Sequence, residues 1–250
     1  MFPGGMIISF EGLDCSFKET NCKAFYKRLS ESIDNDKKHV FFDSFPRYDK
    51  RSSFFVKKWL KGEYDRDYLR KYPYAINSFY SIDRLDYWFE EIEFDDLKNN
   101  RLYFYNRFRQ TEEACFIFDR YNFSNAIYNP KNKRPSVKDF TFDYLNFGIP
   151  QPDIVVWMRM RDFNVLEDLV KGKRNKDKNE KDISFLKSAW KSSEFILKYN
   201  HPKDVGVHMV VIECLDQNGN IRSKEDIEND VWNKVMEEVN KVNEELKILR

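Results

Sequence analysis

The stretch MIISFEGLDCSFKET at residues 6–20 decides the fold of this chain. It opens with a short apolar run, Met6 to Phe10, of the kind that forms a buried β-strand. Residues 18–33 then place apolar side chains at helical spacing, at Cys22, Phe25, Tyr26, Leu29 and Ile33. The sequence therefore predicts a strand, a loop and a helix in that order, which is the unit of a parallel α/β sheet.

Four further apolar runs rich in β-forming residues are predicted to be strands. They are continuously apolar rather than alternating, which indicates strands covered on both faces by helices. The runs are His39 to Asp43, Cys115 to Asp119, Ile154 to Met160 and Val207 to Glu213. Together with the first run they predict an α/β fold with a five-stranded parallel sheet. We expect residues 1–250 to form a single domain.

Two longer segments are compatible with helix. Residues 68–110 contain no glycine and only one proline, Pro73, which predicts extended helical structure. Residues 223–249 open with Ser223 and, three positions on, Asp226, which is a looser acidic form of a capping box. This segment predicts a C-terminal surface helix.

Charge and cysteine content narrow the range of partners and compartments. Lys and Arg number 43 against 42 Asp and Glu, so the net charge is +1 and there is no global basic field to recruit nucleic acid. The four cysteines are too dispersed for a zinc pattern or a disulfide framework, and we expect reduced thiols. No segment approaches the roughly 18 apolar residues that span a bilayer. We therefore expect a soluble cytoplasmic protein without membrane or nucleic-acid partners.

Residues 12–20 stand where a phosphate-binding loop of the pattern Gly-x-x-x-x-Gly-Lys-Ser/Thr would stand. In such a loop, backbone N–H groups and the N-terminus of the next helix face phosphate, and the lysine adds a positive charge. Gly12 and Lys18 match the first glycine and the lysine of this pattern, and Thr20 lies two residues after the lysine. Phe17 replaces the second glycine, and Glu19 replaces the hydroxyl residue that binds Mg²⁺. Alone the motif is weak, because a strand, a turn and a helix with one lysine are common.

Five ordered segments make the interpretation more specific: FEGLD at 10–14, FPRY at 45–48, FYSIDR at 79–84, DRYNFS at 119–124 with Tyr128 beyond, and PD at 152–153. They resemble segments of thymidylate kinases, a family of P-loop nucleoside monophosphate kinases. The resemblance covers most of the chain, although the lid and the last strand fit less sharply. It implies a three-layer P-loop kinase fold, usually a homodimer, that uses ATP and Mg²⁺ to phosphorylate dTMP.

The resemblance implies roles on the ATP side of the site. The predicted ATP-binding residues are Gly12, Cys15, Ser16, Lys18, Glu19 and Thr20, and the predicted Mg²⁺ ligands are Asp119, Glu19 and Thr20. The predicted catalytic residues are Lys18, Arg47, Asp119, Arg120 and Arg174. The alternatives are a solvated lysine at the first turn of the helix and an aspartate that caps a helix.

The resemblance also implies an acceptor site made of Asp14, Phe45, Arg47, Tyr80, Arg84, Arg120, Ser124 and Tyr128. Arg47 and Arg120 would hold the acceptor phosphate and the transferring group, since guanidinium forks suit phosphate. Tyr80 would stack on the base, Arg84 would contact it, and Asp14 would bind the sugar hydroxyl. Surface ion pairs for the two arginines, and ordinary packing for Tyr80, Ser124 and Tyr128, remain open.

Two segments have no fixed role from sequence. Residues 171–182 fall where the family has its phosphate lid, with Arg174 as the best candidate and Lys173, Lys176 and Lys178 as substitutes; a solvated loop is the alternative. Residues 93–110 are rich in aromatic and basic side chains, and they look like an insertion relative to the thymidylate kinase family. We expect it to pack on the protein itself or on a partner subunit.

Two competing functions stay open, the first because of Phe17, Glu19 and the aromatic insertion, and the second because deoxynucleoside kinases share an Asp-Arg-x-x-x-Ser-like element and a related fold. The chain could be a catalytically impaired relative that serves as a binding or assembly subunit. It could also be a deoxynucleoside kinase, although the FPRY and EGLD segments favour the monophosphate kinase.

Overall fold

The computed structural model describes residues 5–33, 39–65, 67, 71–94, 97–108, 114–129, 134–173, 182–199 and 201–248. Its strands are β1 (Met6–Gly12), β2 (His39–Ser44), β3 (Glu91–Phe94), β4 (Leu97–Asn100), β5 (Ala114–Asp119), β6 (Ile154–Arg159) and β7 (His208–Glu213). Five of them form an all-parallel sheet in the order β2-β5-β1-β6-β7, and β3 pairs with β4 in an antiparallel hairpin.

The α-helices flank this sheet. They are α1 (Lys18–Ser32), α2 (Phe54–Lys61), α3 (Pro73–Phe89), α4 (Arg101–Phe108), α5 (Phe123–Ile127), α6 (Val137–Phe140), α7 (Phe142–Phe147), α8 (Phe163–Gly172), α9 (Ile183–Tyr199) and α10 (Lys224–Ile248). Short 3₁₀ turns cover Arg51–Ser53 and His201–Val205.

Side chains of the central strand alternate between two apolar cores. Ile8 and Phe10 belong to the larger core, with residues of α1, α9 and α10. Ile7 belongs to the second core, with Trp88 of α3. Every residue of β1 is buried, because helices cover both faces of the sheet. The predicted three-layer α/β fold with a five-stranded parallel sheet is therefore confirmed.

The prediction of extended helix over residues 68–110 is only partly right. The helix α3 ends at Phe89, and the chain then forms the β3-β4 hairpin before α4 begins. Glu90 leaves the helical conformation, and its carboxylate accepts hydrogen bonds from Arg47 Nη1 (2.8 Å) and Arg101 Nη1 (2.5 Å). The absence of glycine allowed a continuous helix, but these tertiary contacts favour a break at Glu90.

The C-terminal helix begins as predicted. Asp226 N–H donates to Ser223 Oγ over 3.1 Å, and Ser223 Oγ donates to the Asp226 carboxylate over 2.7 Å. These bonds satisfy a donor that the first turn of α10 would otherwise leave unpaired.

The described part of the insertion packs on the protein itself. Tyr105 of α4 is 3% exposed and belongs to the second core. Its ring lies 5.4 Å from Trp88 and 6.0 Å from Phe116, centre to centre. The Arg101 guanidinium lies 4.3 Å from the centre of the Tyr87 ring. Aromatic packing of this kind stabilises a helix against the sheet.

All four cysteines are free thiols, as the sequence predicts. Among the described helices, none is both long enough and apolar enough to cross a membrane.

Candidate active site

The loop that joins β1 to α1 lies at the carboxyl edge of the sheet. β1 is the central strand, flanked by β5 and β6. The chain passes from one half of the sheet to the other at this strand, and parallel α/β sheets bind ligands at such a switch point. Residues 12–18 therefore occupy a favourable position for a ligand-binding loop.

Gly12 begins the loop in a conformation that requires glycine. Its φ is 145°, and a Cβ atom there would lie 2.7 Å from the Met158 carbonyl oxygen and 2.8 Å from Ser16 Oγ. Ser16 closes the turn, because its hydroxyl donates to the Leu13 carbonyl oxygen over 2.8 Å. Both φ and close contacts therefore exclude a side chain at Gly12.

Phe17 adopts the left-handed conformation that a glycine would supply at this position. Its φ is 60° and that of Cys15 is 62°, a region that costs a non-glycine residue about 1–2 kcal/mol. The Phe17 ring packs against the larger core. Its carbonyl oxygen accepts hydrogen bonds from Asn21 N–H (3.1 Å) and Asn21 Nδ2 (2.8 Å). These contacts support the left-handed backbone conformation at Phe17 despite its bulky side chain.

Lys18, the first residue of α1, pairs with Asp119, the last residue of β5. Lys18 Nζ lies 3.7 Å from Asp119 Oδ1. Burial lowers the pKa of Lys18 and Arg120 lowers it further, while Asp119 opposes both effects. Ser44 Oγ donates to Asp119 Oδ2 over 2.9 Å, but Asp119 Oδ1 has no hydrogen-bond partner among the described residues. That buried oxygen can accept a bond from a ligand, a water molecule or a cation.

Glu19 and Thr20, the other predicted metal positions, are exposed. Glu19 accepts a hydrogen bond from Lys23 Nζ over 2.5 Å, which lowers the pKa of Glu19. Both residues line a groove between α1 and α10. Within the described ranges, no group of three His, Cys, Asp or Glu side chains is arranged to hold a metal ion.

Arg120, Asp14 and Tyr128 form a second charged cluster. Arg120 Nη2 donates to Asp14 Oδ1, and its guanidinium carbon lies 5.2 Å from the centre of the Tyr128 ring. Tyr128 Oη donates to Asp14 Oδ2 over 3.1 Å. Burial raises the pKa of Asp14, but Arg120 and then Lys18 outweigh it, so the net pKa lies below its ordinary value. Asp14 is therefore a stable anion that fixes the Arg120 side chain.

Glu11 is a buried acid that the sequence analysis assigned to no site. Its Oε1 accepts from Tyr121 N–H over 2.8 Å and its Oε2 from Ser124 Oγ over 2.7 Å. Burial raises the pKa of Glu11, against the effect of these bonds and of Arg120. The sequence signal for Glu11 is an acidic residue in a strand that is otherwise mostly apolar. Its contacts position the turn that follows β5.

An open cavity of about 750 Å³, counting the solvent in its mouth, lies beside the Arg120 cluster. Its walls include the predicted acceptor residues other than Arg47, namely Asp14, Phe45, Tyr80, Arg84, Arg120, Ser124 and Tyr128. Residues from distant parts of the sequence therefore line one cavity. Because its walls carry both apolar and charged side chains, the cavity suits a small ligand with both apolar and charged parts.

The same walls contain residues that the sequence analysis missed, namely Tyr48, Trp59, Asn77, Asn125 and Phe185. Tyr48 ends the FPRY segment but was given no role, and the only signal for Asn125 was that it directly follows Ser124. Trp59 of α2 and Phe185 of α9 belong to no motif, so only the fold reveals their position.

Arg47 lies outside these walls and binds three carboxylates instead. Its Nε is 3.3 Å from Asp83 Oδ1, its Nη2 is 2.7 Å from Asp86 Oδ2 and its Nη1 is 2.8 Å from Glu90 Oε1. Nη2 also donates to the Asp83 carbonyl oxygen over 2.9 Å. These contacts tie the segment after β2 to α3. The predicted contact of Arg47 with the acceptor phosphate stays a prediction.

Arg84 is held in the cavity wall by a buried network. Its Nε donates to Asp143 Oδ2 over 2.5 Å and its Nη2 to Asn125 Oδ1 over 3.1 Å. Burial alone would lower the pKa of Arg84, but Asp143 outweighs it, so the pKa is raised. Arg84 therefore stays charged in a fixed orientation.

The segment predicted to be a lid, residues 171–182, is described only at its two ends. Arg174, the predicted lid residue, lies outside the described residues, as do Lys176 and Lys178. Lys173 is exposed and contributes to the lowered pKa of Asp14, after Arg120, Lys18 and Tyr128. The start of the predicted lid segment therefore lies within electrostatic reach of Asp14.

The five-stranded parallel sheet, with the loop between β1 and α1 at its carboxyl edge, is a P-loop-type α/β fold. No protein-family model matches the sequence, and no curated protein sequence matches it significantly. The chain is similar in structure to the thymidylate kinase from Ehrlichia chaffeensis, with a TM-score of 0.56 and 17% sequence identity over 94% of this chain and 100% of that chain. At this identity the similarity establishes the fold alone.

Proposed function

We propose that the chain is an ATP-dependent nucleotide kinase that transfers the γ-phosphoryl group of ATP to a deoxynucleoside monophosphate, with dTMP as the first candidate. One observation carries the proposal: Arg120 lines the cavity and also acts electrostatically on Lys18 of the loop. A donor bound at residues 12–18 and an acceptor bound in the cavity would thus meet beside Arg120. The fold and the thymidylate kinase-like segments support the same conclusion.

In this proposal the protein acts by positioning and by charge, because phosphoryl transfer needs little covalent chemistry from the enzyme. Lys18 and the backbone N–H groups of the loop bind the donor phosphates. Arg120, fixed by Asp14, stabilises the charge that develops on the transferring group. The apolar and aromatic walls of the cavity hold the acceptor base.

Mg²⁺ fits this site through Asp119. Its buried Oδ1 lacks a hydrogen-bond partner among the described residues, and such oxygens are the ligands that Mg²⁺ prefers. One or two carboxylates together with substrate phosphates are a common Mg²⁺ environment. When bound, Mg²⁺ would neutralise part of the phosphate charge.

A coupled assay of ADP release with ATP and Mg²⁺ tests the proposal. The acceptors are dTMP, dUMP, the other deoxynucleoside monophosphates, and thymidine. We expect turnover that depends on a monophosphate and is lost in Lys18→Ala. No turnover above that variant with any acceptor would reject the proposal.

A deoxynucleoside kinase is the second candidate, and Arg47 is the observation that favours it. Its donors are occupied by Asp83, Asp86 and Glu90, which leaves fewer cations for an acceptor phosphate. Turnover with thymidine but not with dTMP would select this candidate.

A further inference from the structure

Arg120, directly after β5, has a backbone conformation that residues with a side chain rarely adopt. Its φ is 65°, in the left-handed region where Cβ approaches the following carbonyl oxygen. Such strain persists only where neighbouring contacts hold it, and it is frequent at functional sites. The Arg120 side chain is 19% exposed and lines the cavity. Because the backbone sets the direction of the Cα–Cβ bond, the strained conformation determines where this cation lies.

Two hydrogen bonds to β1 hold the peptide groups that flank Arg120. Arg120 N–H donates to the Phe10 carbonyl oxygen over 2.9 Å. Tyr121 N–H donates to Glu11 Oε1 over 2.8 Å. Any residue at position 10 would supply the first acceptor, whereas the second acceptor is a side-chain oxygen. Glu11 is therefore the residue whose identity fixes the peptide group after Arg120.

Both oxygens of the buried Glu11 carboxylate bind residues that follow β5. Glu11 Oε2 accepts a hydrogen bond from Ser124 Oγ over 2.7 Å, in addition to the bond from Tyr121. A carboxylate supplies two acceptor oxygens, so one side chain satisfies both donors. Glu11 also directly precedes Gly12, where the loop begins. The same end of β1 thus carries the loop and fixes the turn that bears Arg120.

The guanidinium of Arg120 connects the loop with the cavity. Its Nη2 donates to Asp14 Oδ1 in the loop, and the side chain lines the cavity. Glu11 is 0% exposed and is not one of the residues that line the cavity. It can therefore affect a ligand only through the residues that it holds.

We propose that Glu11 is a positioning residue for phosphoryl transfer, which holds Arg120 with its guanidinium between the loop and the cavity. The inference rests on the proposed function, because it takes the loop as the donor site and the cavity as the acceptor site. A group that stabilises the transferring phosphoryl must be placed accurately. A displacement of about 1 Å can lower the rate by about 10²-fold.

ADP release with ATP and dTMP tests this role in two variants of Glu11. Glu11→Leu removes both acceptor oxygens at similar volume, and kcat should fall by about 10²-fold. Glu11→Gln keeps an acceptor for Tyr121 N–H and can donate to Ser124 Oγ. The glutamine variant should therefore retain most of the activity. A glutamine variant as impaired as the leucine variant would overturn a role based on these hydrogen bonds.

A double-mutant cycle shows whether Glu11 acts through Arg120. In the Arg120→Ala background, Glu11→Leu should lower kcat by less than about twofold further, because residues that act as a unit have non-additive effects. If the leucine variant loses the full 10²-fold in that background as well, Glu11 acts by another route. That result would overturn the inference and leave the proposed function standing.

Asp153→Leu is the matched control for a general loss of stability. Asp153 Oδ2 accepts a hydrogen bond from Ile7 N–H over 2.8 Å, so the variant removes a similar bond at the opposite edge of the sheet. It should lower the urea midpoint of unfolding and leave kcat nearly unchanged. Equal losses of kcat in Glu11→Leu and Asp153→Leu would also overturn the inference.

Arg120→Gly and Arg120→Ala test the backbone conformation without turnover and without Glu11→Leu having to fold. Glycine has no Cβ to strain at this φ, so the glycine variant should unfold at a higher urea concentration than the alanine variant. Equal midpoints would mean that residue 120 is not held left-handed in solution, which would overturn the inference. Absence of turnover by the wild-type protein with any acceptor would instead reject the proposed function, and the role of Glu11 in transfer with it.

Discussion

Lys18 Nζ lies 3.7 Å from Asp119 Oδ1, and the two side chains are only 7% and 6% exposed. The pair links the first turn of α1 to the carboxyl end of β5. Burial and Arg120 lower the pKa of Lys18, while Asp119, Asp14 and Glu11 act against that shift. The acids of the site therefore favour the charged form of this buried lysine, which is the form that attracts an anionic ligand.

The first prediction concerns Lys18 and its neighbour on the exposed face of α1. Lys18→Ala should lower kcat by about 10²-fold or more, because it removes a charge positioned at the donor phosphates. Lys23→Ala is the control, since Lys23 is 57% exposed and pairs with Glu19, and its kcat should stay within about twofold. ADP release with ATP and dTMP measures both. Equal losses in the two variants would contradict a specific role for Lys18.

The second prediction concerns the backbone at Phe17. Phe17→Ala removes the ring and keeps a non-glycine residue at a φ of 60°, whereas Phe17→Gly removes the ring and the backbone strain together. The glycine variant should therefore be more stable than the alanine variant by about 1 kcal/mol. Urea denaturation of the two variants gives this difference directly. An alanine variant as stable as the glycine variant would mean that residue 17 is not left-handed in solution.

The fold could be predicted from sequence because its signals are local and apolar. The five runs predicted to be strands form the parallel sheet, since continuous burial on both faces leaves a pattern in each run. The break after Phe89 could not be predicted, because it depends on Glu90 meeting Arg47 and Arg101. Arg47 comes from the segment after β2, and Arg101 reaches Glu90 only once the chain has folded back through β3 and β4.

The candidate site was less predictable than the fold. The ordered motifs identified most of the cavity wall, including Tyr80 and Arg84. They did not distinguish Arg47, because an arginine after a strand has the same sequence signal whether it binds phosphate or carboxylates. Trp59 and Phe185 reach the cavity only through the packing of α2 and α9, which no motif encodes.

The third prediction separates a structural role of Arg47 from phosphate binding. Asp83 and Arg47 are both 1% exposed at their side chains, so Arg47→Met leaves a buried carboxylate without its main partner. The free energy of unfolding should fall by about 3–5 kcal/mol. Arg51→Met, in an exposed position of the same segment, should change it by less than about 0.5 kcal/mol. A stable Arg47→Met protein with a KM for dTMP raised at least about tenfold would support phosphate binding instead.

The fourth prediction concerns acid stability and Glu90. Burial alone would raise the pKa of Glu90, but hydrogen bonds from Arg101 and Lys50 and the charge of Arg47 lower it from 4.5 to about 2. Because the folded pKa lies below the unfolded value, the charged form stabilises the fold above about pH 4.5, and this contribution is lost as the pH falls toward about 2. For a partly exposed carboxylate we expect on the order of 1–2 kcal/mol after solvent screening. Glu90→Gln should therefore lower the free energy of urea unfolding by that amount at pH 7, and the difference from wild type should shrink at pH 3.

Glu31→Gln is the control for this prediction, because the Glu31 carboxylate is 67% exposed. It should give no comparable pH-dependent difference from wild type. A Glu90→Gln effect that is the same at both pH values would exclude ionisation of Glu90 as its cause.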